Sequence, residues 1–254
     1  MPRSNAPLRQ PARYRSALLP IYADELEAAL RPEQVQVLDA YASLVRRWNP
    51  VLSLVATKDL PRFADRHVVD GLVAAHVLRD TRRDRGCEAL RVADLGSGAG
   101  LPGIPLAVAL PEVWVTLVER SVRKARFLRL AQRELGLANI TVLCADVGQV
   151  PSASADVVTA RALMPPPALW KQAQRMLKPG GHLLALDRVV RSRQAAVAAA
   201  DAPVDFPGGS IARRHWAKMP RLSAWHGLLV VTKDDPDHSG SESKRRRRQD
   251  HDER

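Results

Sequence analysis

The chain has 254 residues, 46% of them hydrophobic, with 39 Lys and Arg against 27 Asp and Glu and a formal net charge of +12. That length holds one full α/β domain plus a helical extension, not two large domains. No apolar run approaches the ~20 residues of a membrane span; the stretch from Ile104 to Leu110 is far too short, so no membrane partner is expected. No apolar core follows Arg3, Arg9, Arg13 and Arg15, so no secretory leader is expected either. Cys87 and Cys144 stand in unrelated contexts and read as two reduced thiols of a cytoplasmic protein.

The positive charge does not come from the arginine run Arg245 to Arg248. Residues 233 to 254 hold seven basic and seven acidic residues, so that tail is neutral. The first twenty residues carry +4, which leaves +8 on residues 21 to 232. A basic folded body points to a polyanionic partner or to a simple solvated surface.

Residues 1–20, rich in Pro and Arg, read as a disordered arm. Residues 21–89 read as a helical extension. Pro32 takes a first-turn position, and Val35, Leu38, Tyr41, Leu44, Val45 and Trp48 follow at helical spacing until Asn49-Pro50 stops the pattern. A second helix follows Pro61 through Phe63, Val68, Leu72, Ala75 and Leu78, and residues 79–89 read as a charged loop. His67 and Asp70 share a face of that helix, and a packing hydrogen bond is expected of them before any metal or proton-relay role.

From 90 to 233 the rhythm is that of one α/β domain. The strands RVADL, VWVTLVE, ITVLCA, DVVTA, HLLALD and GLLVVTK alternate with helices at PLAVAL, Ser121 to Leu135 and Pro165 to Leu177, and KPGG at 178–181 reads as a turn. Such alternation predicts a mostly parallel, doubly wound sheet. Residues 234–254 read as a disordered charged tail, and no internal repeat is visible.

The first strand runs into DLGSGAG, Asp94 to Gly100, and then a helix, the arrangement in which backbone amides converge on a nucleotide cofactor. Gly98, Gly100 and Gly103 satisfy the dinucleotide pattern G-x-G-x-x-G, with Glu119 about twenty residues on as a ribose acid. Alternatively, Asp94 followed by Gly96, Gly98 and Gly100 is the pattern of an S-adenosylmethionine site. Charge favours the second, because Asp94 repels a pyrophosphate and attracts a sulfonium and an ammonium. Glu119 accepts bonds from ribose hydroxyls in either case.

With DLGSGAGLPGIPLAV, VTLVERSVRKARFLRLAQRELGL and VVTARAL, together with RRWNPVLSLVA and RHVVDGL upstream, the chain resembles the bacterial glucose-inhibited division protein B family (GidB, also RsmG) from about Tyr41 to Lys233. The resemblance implies a Rossmann-like class I methyltransferase fold, an α/β domain with a mostly parallel sheet and an N-terminal helical cap. It implies S-adenosyl-L-methionine as cofactor and 16S rRNA, or the small ribosomal subunit or its precursor, as the partner of a monomer. The implied product is N7-methylguanosine in the decoding-region loop, guanosine 527 by family expectation. Residue by residue, it implies that Gly96 and Leu101 line the methionine and ribose side, and that Val147 and Gly148 hold the adenine. Arg161 sits by the cofactor carboxylate or the incoming base. The family usually carries glutamate at Gly148, which leaves the adenine to backbone or Asp146, and it carries lysine where this chain has Asp187, with Arg188 one place later. It also carries asparagine-leucine-threonine where this chain reads Ser53-Leu54-Val55.

Guanine N7 has a free in-plane lone pair and needs no general base, so no catalytic residue is named. The task is alignment of nucleophile, methyl and sulfur at ~3–3.5 Å. Arg123, Lys124, Arg126 and Arg129 meet RNA phosphate or form a solvated face, and Trp216, Trp225 and Arg213-Arg214 stack bases or pack in the core. No metal site is expected, since the histidines lack ligand spacing. The other reading of the chain is a non-catalytic RNA-binding or ribosome-assembly factor that keeps the fold.

Overall fold

The computed structural model describes residues 21–22, 26, 29–85, 89–192, 194–195, 206–219 and 224–235. The arm expected over 1–20, and the tail expected over 234–254 apart from its first two residues, lie outside the described residues.

After a two-residue strand β1 (Ile21–Tyr22), helix α1 spans Pro32–Leu52 and buries Leu38, Tyr41, Leu44 and Val45 of the stripe that its spacing predicts, together with Asn49, while Val35 is exposed and Trp48 only part-buried. The stop expected at Asn49-Pro50 comes three residues late. Pro50 disturbs a single turn so near the end, and Ser53 closes the helix at φ 48 by donating its N–H to Asn49 O. The Asn49 side chain meanwhile accepts the Val55 N–H at 2.8 Å.

A 3₁₀ segment, Thr57–Arg62, and a π-helical turn, Ala64–Val68, lead into α2, Val69–Arg85. The loop expected over 79–89 is thereby corrected, since the helix continues to Arg85. Neither glycine nor proline interrupts that stretch before Gly86, and four of residues 79–85 are arginine, a good helix former.

The domain continues through β2 (Arg91–Leu95), α3 (Gly103–Ala109), β3 (Trp114–Val118), α4 (Val122–Glu134) and β4 (Ile140–Leu143). It then runs through β5 (Ala155–Arg161), α5 (Pro166–Met176), β6 (Leu177–Val190), β7 (Gly209–Met219) and β8 (Ala224–Lys233). The strands form one eight-stranded sheet in the order β1-β7-β8-β6-β5-β2-β3-β4. Strands β2 to β6 pair in parallel, and β8 lies antiparallel between β6 and β7. KPGG does not end the preceding helix in a free turn. It lies within β6, where the register against β5 shifts between Ala155 and Val157. Strands β1 and β7 carry no clear alternation and were not expected.

Helices α1 to α4 cover one face with Tyr41, Leu78, Ile104 and Leu128, joined by Phe63 from the segment before α2, while α5 covers the other with Trp170 and Met176. This is the Rossmann-like α/β fold with an N-terminal helical cap that the resemblance implies. No helix among the described residues is long and apolar enough to cross a membrane. Strand order reverses at β2, which has β3 on one side and β5 on the other. A crevice opens there, at the carboxyl ends of the strands.

Candidate cofactor site

Asp94, the penultimate residue of β2, is fully buried. Its Oδ2 accepts the Gly103 N–H at 3.2 Å, and its Oδ1 has no hydrogen-bond partner. Burial pushes the carboxyl up to about 7. Gly103 permits this approach, because a Cβ there would stand 2.4 Å from Leu117 Cδ2 and 2.7 Å from Asp94 Oδ2. Gly96 has φ +66, and a Cβ on it would stand 2.6 Å from Leu163 Cδ1, so the loops after β2 and β5 meet at this residue.

Glu119 straps the glycine loop to the end of β3. Its Oε2 accepts the Gly98 N–H at 2.9 Å and its Oε1 the Ser121 N–H at 2.8 Å. From the cap, Tyr41 donates its hydroxyl to Ala99 O at 3.0 Å, and burial pushes that hydroxyl far above its ordinary range.

Beside this loop lies a cavity of about 480 Å³. Its walls are Gly96 and Gly98, Val118 to Arg120 with Lys124, Ala145 to Gly148, and Leu163, Met164 and Gln172. Gly96, Glu119, Val147 and Gly148 are thus brought together. Leu101 is not in the lining; it packs in the core under the cap. Arg161 is also outside the lining, at the last residue of β5, with Nε 2.7 Å from Asp70 Oδ2. Asp146 caps the turn Val147–Gln149 by accepting the Gly148 N–H at 3.0 Å. Arg175 of α5, which sequence reasoning passed over, pins that turn by donating to Val150 O at 2.6 Å and to Val147 O and Gly148 O at 3.2 Å each.

Of the packing hydrogen bonds expected of His67 and Asp70, only Asp70 makes one. Asp70 bonds His226 Nδ1 at 2.6 Å and the Arg161 guanidinium, while His67 makes no hydrogen bond. Burial, aided by Arg161, pushes the His67 imidazole down to about 4, so it is neutral against the edge of Phe63. Trp216 is wholly buried against Trp225 and Val190, a core position and not a base-stacking one.

A second cavity of about 310 Å³ opens at the ends of β5 and β6, between Ala160, Ala162 to Pro166, Leu169, Ala185 and Leu186. It shares Leu163 and Met164 with the first.

The residues fit S-adenosylmethionine. The first cavity is in the size range of small-ligand pockets. Asp94 is fully buried and not among the residues that line the cavity, but its orphaned Oδ1 is an acceptor suited to a cation, and Glu119 retains lone pairs for a ribose.

A protein-family model described as rRNA small subunit methyltransferase G matches residues 34–202. A ribosomal RNA small subunit methyltransferase G from Xanthomonas campestris pv. campestris (strain 8004) is 35% identical over 227 residues, 82% of this chain and 99% of that protein. Its counterpart from Stenotrophomonas maltophilia (strain K279a) is 36% identical over 209 residues, 82% of this chain and 89% of that protein. A solved SAM dependent methyltransferase from Aquifex aeolicus superposes with a TM-score of 0.43 at 14% identity, covering 67% of this chain and 93% of that one. With the family match spanning most of the domain and its cap, the chain belongs to the rRNA small subunit methyltransferase G family.

Proposed function

We propose that the protein transfers a methyl group from S-adenosylmethionine to N7 of a guanosine in the decoding-region loop of 16S rRNA. The observation that carries this reading is family membership over residues 34–202, which include the whole crevice between β2 and β5. When bound, the cofactor supplies an electrophilic sulfonium methyl. Asp94 Oδ1 takes its ammonium, Glu119 its ribose, and the backbone of Val147 and Gly148 its adenine. Leu101 backs the methionine side from the core. The adjoining apolar cavity receives the guanine, with Leu163 and Met164 on the wall common to both sites. No side chain acts as a base, since N7 carries no proton to remove, and the protein's contribution is to align the two reactants and exclude water.

Purified protein, S-adenosylmethionine and small subunits from cells lacking the gene provide the test. The expected result is methylation of one guanosine at N7, read by chemical cleavage at N7-methylguanosine. Methyl transfer to another atom or another RNA overturns the substrate assignment. Failure to bind S-adenosylmethionine at millimolar concentration leaves the non-catalytic assembly factor as the reading.

The exposed side of α4 presents Arg126, Arg129 and Arg133, which have no ion-pair or hydrogen-bonded side-chain partner among the described residues. Arg123, at the head of the row, donates to Val51 O at 2.9 Å and ties α4 to the cap. This row is the phosphate-docking face. Replacing Arg126 and Arg129 by glutamine is expected to flatten the salt dependence of RNA binding by roughly one unit of log–log slope per lost phosphate contact. Cofactor affinity, measured by calorimetry, should stay unchanged.

A further inference from the structure

Arg161 is held from behind by Asp70, which is in turn backed by His226. Its Nε lies 2.7 Å from Asp70 Oδ2, and the other oxygen of Asp70 lies 2.6 Å from His226 Nδ1. The three side chains come from β5, the start of α2 and β8. Asp70 and His226 expose only 5% and 7% of their side chains, Arg161 26%. A carboxylate so buried is costly unless both oxygens are matched, and here both are. The matching fixes the guanidinium as well. With Nε facing Asp70, the Nη1 and Nη2 nitrogens have no partner among the described residues. That edge of a guanidinium is the fork that grips a carboxylate with two parallel bonds.

Strand register says which carboxylate. Leu95 pairs with Ala160 and Asp94 with Thr159, so Arg161 stands level with Gly96. Thr159 and Arg161 are two residues apart on one strand and therefore on one face of the sheet, the face that Asp94 shares across the ladder. An unpartnered anionic acceptor and an unpartnered cationic fork thus lie on neighbouring strands, one suited to an ammonium and the other to a carboxylate. That is the charge pattern of an α-amino acid.

We infer that Asp70, backed by His226, is a positioning residue that aims Arg161 at the α-carboxylate of the cofactor's methionine moiety. The inference rests on the cofactor reading above and adds to it the reason why the cap belongs to the site. Asp70 opens the second cap helix, so the cap's seating on the domain sets the direction of the arginine.

Two ligands separate this role from a general one. S-adenosylhomocysteine carries the amino-acid end; 5′-methylthioadenosine has the same nucleoside and a thioether without it. In calorimetry on the full chain, Asp70→Asn is expected to weaken S-adenosylhomocysteine by about tenfold or more, the scale on which groups behind a ligand-binding side chain act. Methylthioadenosine should change by less than about twofold, within the spread of near-neutral surface changes. Arg161→Gln should give the same pattern, and the double variant should lose no more than Arg161→Gln alone, as members of one network do. His226→Asn, which keeps a donor near the Nδ1 position, should restore what His226→Leu loses.

Equal weakening of both ligands, additive losses in the double variant, or an effect confined to RNA affinity would each overturn the inference. Wild-type protein that binds neither ligand overturns the cofactor reading itself. If Asp70→Asn does not fold, the His226→Asn and His226→Leu pair on the two ligands decides the question.

Discussion

Replacing Asp94 by asparagine is expected to stabilise the ligand-free protein near pH 8 and to weaken its grip on S-adenosylmethionine at the same pH. Both effects have one cause. Burial lifts the Asp94 carboxyl to about 7 in the folded protein, against an ordinary value near 4 in the unfolded chain. Between those values the folded state holds a proton that the unfolded state has released, so unfolding free energy falls as pH rises from about 4 to about 7 and is level above. Asparagine never ionises and escapes that loss. It should be the more stable variant at pH 8, by on the order of a few kcal/mol, with the gap closing as pH approaches 4. Urea unfolding at several pH values measures it. Ligand affinity runs the other way. Oδ1 has no protein partner, and only the ionised form attracts an ammonium. Wild-type affinity should therefore strengthen between pH 5 and 7, by up to tenfold per unit, before the amino group of the ligand itself begins to titrate near 8. Tyr41 and Glu119, the other titratable groups that act on Asp94, remain in the variant. Its affinity should be flat with pH and about ten- to a hundredfold weaker at pH 7.5, the worth of a charge-assisted hydrogen bond. A wild-type affinity that does not vary between pH 5 and 7 would remove Asp94 from the site.

Four of the residues that line the cavity are legible in the sequence because each follows the end of a strand. Gly96 follows β2, Glu119 follows β3, and Val147 and Gly148 follow β4; in a parallel sheet those ends lie on one edge. The sign of Asp94 separates two cofactor classes that the glycines alone leave open. What pattern does not carry is partnership across the chain. Periodicity puts Asp70 on a helix face beside His67, yet the residue it bonds is His226, 156 positions away, on a strand reached only after the sheet has reversed. Arg175 reads as one more charge on a helix, and its role exists only because α5 packs beside the turn after β4. Strand β7 reads GSIARRHWAKM, with no steady alternation of apolar and polar residues, and its pairing comes from β8. The π-helical turn before α2 is a further case, since nothing in ADRHV distinguishes it from ordinary helix.

The residue next to Asp70 makes the seating of the cap testable by stability. Gly71 lies in the first turn of α2, and alanine in a helix is ordinarily better than glycine by about 1 kcal/mol. Here the sign should reverse. A Cβ on Gly71 would stand 2.6 Å from Pro105 Cβ, 2.7 Å from the Pro102 carbonyl oxygen and 3.1 Å from Leu106 N, and none of these is the loose end of a flexible side chain. Helix α2 must then back away from α3. Overpacking of this kind costs about 1–3 kcal/mol, a fall in Tm of roughly 3–10 °C for a domain of this size. Gly71→Leu should lose considerably more. Gly148→Ala is the control, because its Cβ would meet only Asp146 Oδ1, at 3.6 Å, and its Tm should hold. Since Asp70 moves with Gly71, the displaced cap also pulls the carboxylate from Arg161. Gly71→Ala should then weaken S-adenosylhomocysteine more than methylthioadenosine, the pattern of Asp70→Asn reached without touching a charge. A Gly71→Ala protein that melts higher than wild type would mean that the cap does not sit on the domain at this contact.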